Sequence, residues 1–161
     1  MSDQDATRFT PLCVMLLRAP DDGVLLGEKL TGFGTGRVVA PGGHLEPGET
    51  AYQAAVRETF EETGLVVASA QWCADLTFAF PSCPQWDQRL EVFTTSDFTG
   101  DLTPSSELAP WWCPVDKIPL HRMWDDDRYW LARVLDGERL RGHFVYDAAN
   151  AKVVESRVEL A

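Results

Sequence analysis

Basic residues are scarce in this sequence of 161 residues, which has 14 lysines and arginines against 25 aspartates and glutamates and a net charge of −11. Non-specific binding to nucleic acid requires a basic surface, so we expect no nucleic-acid partner. Long hydrophobic runs are also missing: none approaches the roughly 18 apolar residues of a membrane-spanning helix, so we expect no membrane partner. The first residues, MSDQDATRF, are acidic and polar, unlike a secretory signal.

Cysteine and histidine are few and scattered. They form no C-x-x-C pair and show no metal-ligand spacing, so the sequence indicates no zinc-type site. We expect four free thiols, as is usual in an intracellular protein, and therefore a cytoplasmic location. The residues are Cys13, Cys73, Cys83, Cys113, His44, His121 and His143.

The composition is that of an ordinary globular protein, with 45% apolar and 24% charged residues. This length suffices for one domain that spans residues 1–161 and buries a full core without disulfides. Residues 1–8 are predicted to form a flexible tail. A negative charge does not exclude a phosphorylated small molecule, because metal ions and a few local cations can neutralise it.

The chain alternates between strand-like and helix-like patterns. Residues 24–28 follow a turn and are predicted to form a hairpin with residues 12–18, whereas residues 41–43 are predicted to be a tight connection. Helices among many short strands predict a mixed α/β (α+β) fold with a sheet between helices. The predicted strands are 12–18, 24–28, 37–40, 66–70, 71–80, 89–96, 107–113, 139–146 and 152–160, and the predicted helices are 49–64 and 125–135.

The stretch from Gly43 to Leu65 has one fixed spacing, G-x5-E-x7-R-E-U-x-E-E-x-G-U, where U is aliphatic. Thr59 is the looser of the two U positions. The helix should begin near Glu49 and end near Gly64, a residue suited to a left-handed cap. The charged and glycine positions of the pattern are Gly43, Glu49, Arg57, Glu58, Glu61, Glu62 and Gly64.

Three glutamates of this helix, Glu58, Glu61 and Glu62, are three and four residues apart, so their side chains lie on one face. Like charges at this spacing repel each other, and a divalent cation relieves the repulsion. Clustered carboxylates suit Mg²⁺ or Mn²⁺, and Arg57 can orient one of them. The alternative is a solvated acidic face, which would not also require the glycines and the arginine at these positions.

This spacing resembles the signature of the Nudix hydrolases. The resemblance implies an α/β/α sandwich with a mixed sheet, and attack of water on a polyphosphate assisted by Mg²⁺. It further implies that Glu58 and Glu62 bind the metal, with Glu61, the carbonyl group of Gly42 and a carboxylate from outside the helix, for which we choose Glu107. The general base stays open among Glu58, Glu61 and Glu62, with Glu62 preferred.

Two further stretches, LLGEKLTGFGTGR and WWCPVDKIPLHRMWDDDRYW followed by GHFVYD, resemble the MutT-homologue subfamily that hydrolyses oxidised purine nucleoside triphosphates. By position, Trp124, Asp126 and Asp127 correspond to residues that stack on the purine and bind its edge, Phe33 lines the base pocket, and Lys29 is a pocket cation. Without the resemblance, the tryptophan would be a core residue and the aspartates an acidic helix start.

One position departs from the subfamily, which has a base-binding asparagine on the strand before the signature. Val39 occupies that position here. Loss of the amide removes a donor and an acceptor from the pocket. We therefore expect a loss of purine discrimination of roughly 1–3 kcal/mol.

The sequence thus predicts an enzyme, a Nudix pyrophosphohydrolase that converts an oxidised purine nucleoside triphosphate such as 8-oxo-dGTP to its monophosphate and pyrophosphate, in nucleotide-pool sanitation. The partner is a small nucleotide. One alternative is a Nudix enzyme for ADP-ribose, a dinucleotide or an undamaged nucleoside triphosphate. Another is a nucleotide-binding module without catalysis.

Overall fold

The computed structural model describes residues 8–161, so all but the last residue of the predicted tail lies outside the described residues. Two α-helices, three 3-10 helices of three residues each and nine strands lie wholly within this range. The α-helices are α1 (Ala51–Thr63) and α2 (Asp127–Leu135). The strands are β1 (Thr10–Leu17), β2 (Gly23–Lys29), β3 (Val38–Val39), β4 (Gly42–His44), β5 (Val66–Ala79), β6 (Gln88–Thr99), β7 (Leu108–Pro114), β8 (Leu140–Tyr146) and β9 (Val153–Leu160).

The strands form two sheets. The larger has the order β4-β1-β6-β5-β8-β9, with parallel pairs β1–β6 and β5–β8 and antiparallel pairs elsewhere. The smaller has the order β3-β2-β7 and is antiparallel. The C-terminal hairpin, predicted from its alternating pattern, is confirmed as β8 and β9.

The predicted hairpin between residues 12–18 and 24–28 is wrong. After the turn, β2 enters the smaller sheet, and a single bridge between Arg18 and Val24 joins the two segments. The predicted turn is present. However, β2 is buried along most of its length, and its hydrogen-bond partners come from β3 and β7 rather than from β1. The turn therefore passes the chain from one sheet to the other.

Two further predictions about strands require correction. The segments 66–70 and 71–80, predicted as two strands, form one strand, β5, whose pairing with β6 has three register shifts. Residues 42 and 43 belong to the edge strand β4 rather than to a plain connection. A side chain at Gly42 would place its Cβ 2.0 Å from the Cys13 carbonyl oxygen, so only glycine allows this pairing.

The first helix has the predicted ends. Thr50 caps its N-terminus and exchanges hydrogen bonds with Gln53 in a capping box. Gly64 ends it in the left-handed conformation, with φ of 76°. The second helix begins two residues later than predicted, at Asp127.

The larger sheet lies between the two helices, which confirms the mixed α/β architecture. On one face, α1 packs Ala51, Ala54 and Ala55 against β1 and β6 in one hydrophobic cluster. On the other face, α2 packs Trp130, Leu131 and Val134 into a larger cluster with β5 and β8. Among the described residues, no helix is long and apolar enough to cross a membrane.

Candidate active site

Three carboxylates, two from α1 and one from the residue before β7, lie close together. Glu58 and Glu62 are one helical turn apart on α1, and Glu107 immediately precedes β7. One carboxylate oxygen from each lies within 4.8 Å of the others. The carbonyl oxygen of Glu107 accepts a hydrogen bond from the Leu30 amide at 2.9 Å, which ties this residue to the end of β2. The sequence analysis chose Glu107 as the carboxylate from outside the helix, and the structure brings it to this cluster.

The cluster is electrostatically unfavourable without a cation. Glu62 is only 6% exposed, and its Oε1 accepts a hydrogen bond from the Gly42 amide at 3.3 Å. Burial, followed by the neighbouring Glu58 and the more distant Glu107 charge, raises the pKa of Glu62 well above its ordinary value. A divalent cation among three carboxylates would offset this repulsion, and oxygen ligands suit Mg²⁺ or Mn²⁺. The donor set therefore fits a hard divalent ion.

Arg57 organises the carboxylates on the outer side of the cluster. Its Nε and Nη2 donate to the two oxygens of Glu49 at 2.6 and 2.8 Å, and its Nη1 donates to Glu58 at 3.0 Å. The bond from Arg57 lowers the pKa of Glu49 to about 2. Glu61 is half exposed and accepts from the same Nη1 at 3.2 Å, outside the group of three. Arg57, itself held by Glu49, therefore fixes the orientation of the Glu58 side chain.

Gly43 leaves room for this arrangement. A Cβ at this position would lie 2.9 Å from the carboxyl carbon of Glu58. The glycine of the signature thus allows strand β4 to approach the glutamate helix closely.

A cavity of about 640 Å³ runs from the carboxylate cluster into the space between the larger sheet and α2. Its size is within the range of small-molecule sites. Arg57 and Glu61 are not part of its wall. Of the predicted site residues, those that line it are Lys29, Phe33, Val39, Gly42, Glu58, Glu62, Glu107, Trp124, Asp126 and Asp127.

Aromatic rings form the far end of this cavity. Phe33 stacks on Trp124 with ring centroids 5.1 Å apart and an interplanar angle of 14°. Trp86 and Phe80 contact Phe33 edge-on, and the Arg37 guanidinium lies 3.9 Å from the Trp124 ring centre. Such flat apolar faces are suited to stacking on a planar base.

The three consecutive aspartates before and at the start of α2 have different surroundings. Asp125 faces away from the cavity and accepts hydrogen bonds from Arg128 and from the Val153 amide. Asp126 is buried, and Asp127 lines the cavity beside it. Burial raises the pKa of both carboxyl groups, and the Asp126 charge raises that of Asp127 further.

The sequence analysis missed several residues of the site. Trp86 belongs to a short 3-10 helix between β5 and β6, and Tyr146 lies at the end of β8. Arg37 follows the glycine-rich turn and covers the Trp124 ring without lining the cavity. Tyr146 donates a hydrogen bond to Asp126, although 20 residues separate them. The aromatic residue within a polar loop was a visible signal for Trp86, whereas the contacts of Arg37 and Tyr146 depend on pairings that no local pattern indicates.

The chain also resembles known proteins. Residues 8–134 match the family described as NUDIX domain. An oxidized purine nucleoside triphosphate hydrolase of Danio rerio is 34% identical over 152 residues, which cover 94% of this chain and 96% of the relative. The enzyme of the same name from Mus musculus is 35% identical over 135 residues and covers 84% of this chain and 86% of the relative.

Among solved structures, the crystal structure of a MutT protein from Bacillus halodurans superposes with a TM-score of 0.78 over 94% of this chain and 98% of its own, at 24% identity. At this identity the likeness shows the fold. The family match, the two relatives and the fold agree with one another. The chain belongs to the Nudix hydrolase family.

Proposed function

We propose that this chain hydrolyses an oxidised purine nucleoside triphosphate to its monophosphate and pyrophosphate, and so keeps damaged nucleotides from use in DNA synthesis. One observation carries the proposal: a carboxylate cluster suited to a divalent ion and an aromatic, aspartate-containing pocket belong to one cavity. The first suits a polyphosphate and the second a purine. The names of the two relatives support the same substrate class.

Glu58, Glu62 and Glu107 would hold Mg²⁺, or Mn²⁺ in its place, with the Gly42 carbonyl group as a further ligand. Glu61 would join them only after leaving Arg57. When bound, the ion neutralises phosphate oxygens and lowers the pKa of the attacking water. Arg57 keeps Glu58 in position through its own fixed contact with Glu49. Glu62, enclosed and close to the phosphate end of the cavity, is our preferred general base.

At the other end, Trp124 and Phe33, which stack on each other here, would form the aromatic wall of the purine pocket. Asp126 and Asp127 would bind the edge of the base, and Lys29 would offer a positive charge to the nucleotide. Val39 presents an apolar wall where an amide would bind the base. We therefore expect the two aspartates to carry most of the recognition of the purine edge. A nucleotide pool of this kind is found in the cytoplasm, which we propose as the location.

The test is a panel of substrates with Mg²⁺, in which kcat/KM is measured for 8-oxo-dGTP, 2-hydroxy-dATP, dGTP, dATP and ADP-ribose. We expect each oxidised nucleotide to be hydrolysed faster than its undamaged counterpart. Equal rates for 8-oxo-dGTP and dGTP would contradict the sanitising role, and a preference for ADP-ribose would favour a different Nudix substrate. Tight nucleotide binding without any turnover would indicate a non-catalytic module.

A further inference from the structure

Tyr146 and Asp126 form a closed pair of hydrogen bonds at the inner end of the cavity. The Asp126 amide donates to the Tyr146 hydroxyl oxygen at 3.2 Å, and that hydroxyl donates its one hydrogen to Asp126 Oδ1 at 2.5 Å. Tyr146 is 2% exposed, and burial followed by the Asp126 charge raises its pKa far above the ordinary value. The hydroxyl is therefore always a donor to this carboxylate.

The second oxygen of the Asp126 carboxylate also accepts a hydrogen bond from a neighbouring side chain. The indole Nε1–H of Trp130 donates to Asp126 Oδ2 at 2.8 Å. An indole nitrogen can only donate, so this oxygen must accept. Two donors on the two oxygens stabilise the ionised form of Asp126.

Among the described residues, no backbone or side-chain N–H group and no hydroxyl donates to the Asp127 carboxyl group, which lines the cavity and is hydrogen-bonded to the neighbouring Asp126. Two neighbouring carboxyl groups in a buried site do not both ionise readily. Because Asp126 is held as the anion, the proton of the pair belongs to Asp127. This proton bonds Asp126 here and can turn to an acceptor on a bound ligand. Of the other charged groups nearby, Asp125 is turned towards Arg128 and Lys152.

We propose that Tyr146 is a specificity-determining positioning residue: its hydroxyl holds Asp126 as the acceptor of the pair, leaves Asp127 as the donor, and so fixes which purine edge the pocket binds. The inference rests on the proposed function, because it assumes a purine ligand. A 6-oxopurine presents an acceptor at C6 beside a donor at N1, and a 6-aminopurine presents the reverse. A pocket with fixed donor and acceptor positions distinguishes the two, whereas a pocket whose proton can move between the carboxyl groups does not.

The experiment compares the wild type with Tyr146→Phe, with Tyr129→Phe as the matched control. Tyr129 is on α2, and its hydroxyl accepts from Arg128 rather than contacting Asp126. Binding of 8-oxo-dGMP and 8-oxo-dAMP, which share the change at C8 and differ at C6 and N1, is measured without metal by calorimetry between pH 5 and 9. The values of kcat and KM are measured for the matching triphosphates.

We expect Tyr146→Phe to change the ratio of the two affinities by about ten-fold and to raise KM with little change in kcat, because the hydroxyl bonds an ionised group far from the phosphate. Loss of the donor raises the pKa of Asp126, so the anion forms only at higher pH. The low-pH side of the pH profile (the acid limb), for both affinity and kcat/KM, should therefore move up by about one pH unit. Tyr129→Phe should show neither change.

An unchanged affinity ratio and an unchanged acid limb in Tyr146→Phe would overturn the inference while leaving the proposed function intact. A wild type that binds both monophosphates equally would also overturn it. A wild type that neither binds nor hydrolyses purine nucleotides would refute the proposed function itself, and the inference with it. Trp130→Phe removes the other donor and should shift the ratio and the acid limb in the same direction, which keeps the test decisive if Tyr146→Phe does not fold.

Discussion

Glu62 is the residue on which most of the proposed chemistry depends. We expect Glu62→Gln to lower kcat by about 10²- to 10⁴-fold, because the amide keeps the size of the side chain but neither takes a proton from water nor binds the ion as a carboxylate does. Steady-state release of pyrophosphate from 8-oxo-dGTP with Mg²⁺ measures this. Glu159→Gln, an exposed substitution on β9, is the control for a change of one charge. A larger loss in Glu61→Gln than in Glu62→Gln would assign the base to Glu61.

Val39 offers a test of how the pocket distinguishes purines. Val39→Asn places an amide at the cavity wall, and we expect the ratio of kcat/KM for 8-oxo-dGTP over dGTP to change by about 1–3 kcal/mol, or roughly 5- to 150-fold. Val39→Thr, similar in shape but with a hydroxyl group, is the matched comparison. If the ratio is the same in all three proteins, Val39 does not face the base edge.

At the scale of elements, the ends of α1 are fixed by local chemistry. Gly64 has φ of 76°, and a Cβ there would lie 3.1 Å from the Asp101 carbonyl oxygen. We expect Gly64→Ala to lower the free energy of unfolding by more than the about 1–2 kcal/mol that the left-handed conformation costs an ordinary residue, measured by urea denaturation.

Gly48 provides the matched control for this substitution. It has φ of 81°, but no atom lies within 4 Å of a Cβ built there. Gly48→Ala should therefore show the conformational cost alone. Equal losses in the two variants would mean that the contact with the loop after β6 contributes nothing to stability.

How well each element could be predicted depends on how local its determinants are. The ends of α1 followed from Thr50 and Gly64, which act within one helical turn. The partner of β2 did not, because the same turn sequence suits a hairpin and a change of sheet. Likewise, the contact of Tyr146 with Asp126 depends on how β8 pairs with β5 beneath α2, a relation between distant segments. The pairing of Glu107 with the α1 glutamates was expected only from the family resemblance.

At the scale of the whole molecule, the carboxylate cluster links stability to the metal. We expect Mg²⁺ to raise the melting temperature, with a gain of about 2.7 kcal/mol at a concentration one hundred times Kd. Calorimetry at matched ionic strength, with NaCl in place of MgCl₂, separates binding from simple screening of the net charge of −11. The double variant Glu58→Gln/Glu62→Gln should lose the effect, and an equal rise in this variant would place the ion elsewhere.

The cavity also has a consequence for how such an enzyme could change its substrate. Its phosphate end is built by β4, α1 and the residue before β7, whereas much of the base end, namely Trp124, Asp126, Asp127 and Tyr146, lies in the last third of the chain. Exchange of residues 120–146 between relatives would leave the glutamates untouched. Changes confined to one continuous stretch of the gene can thus alter much of the base end while leaving the glutamates in place.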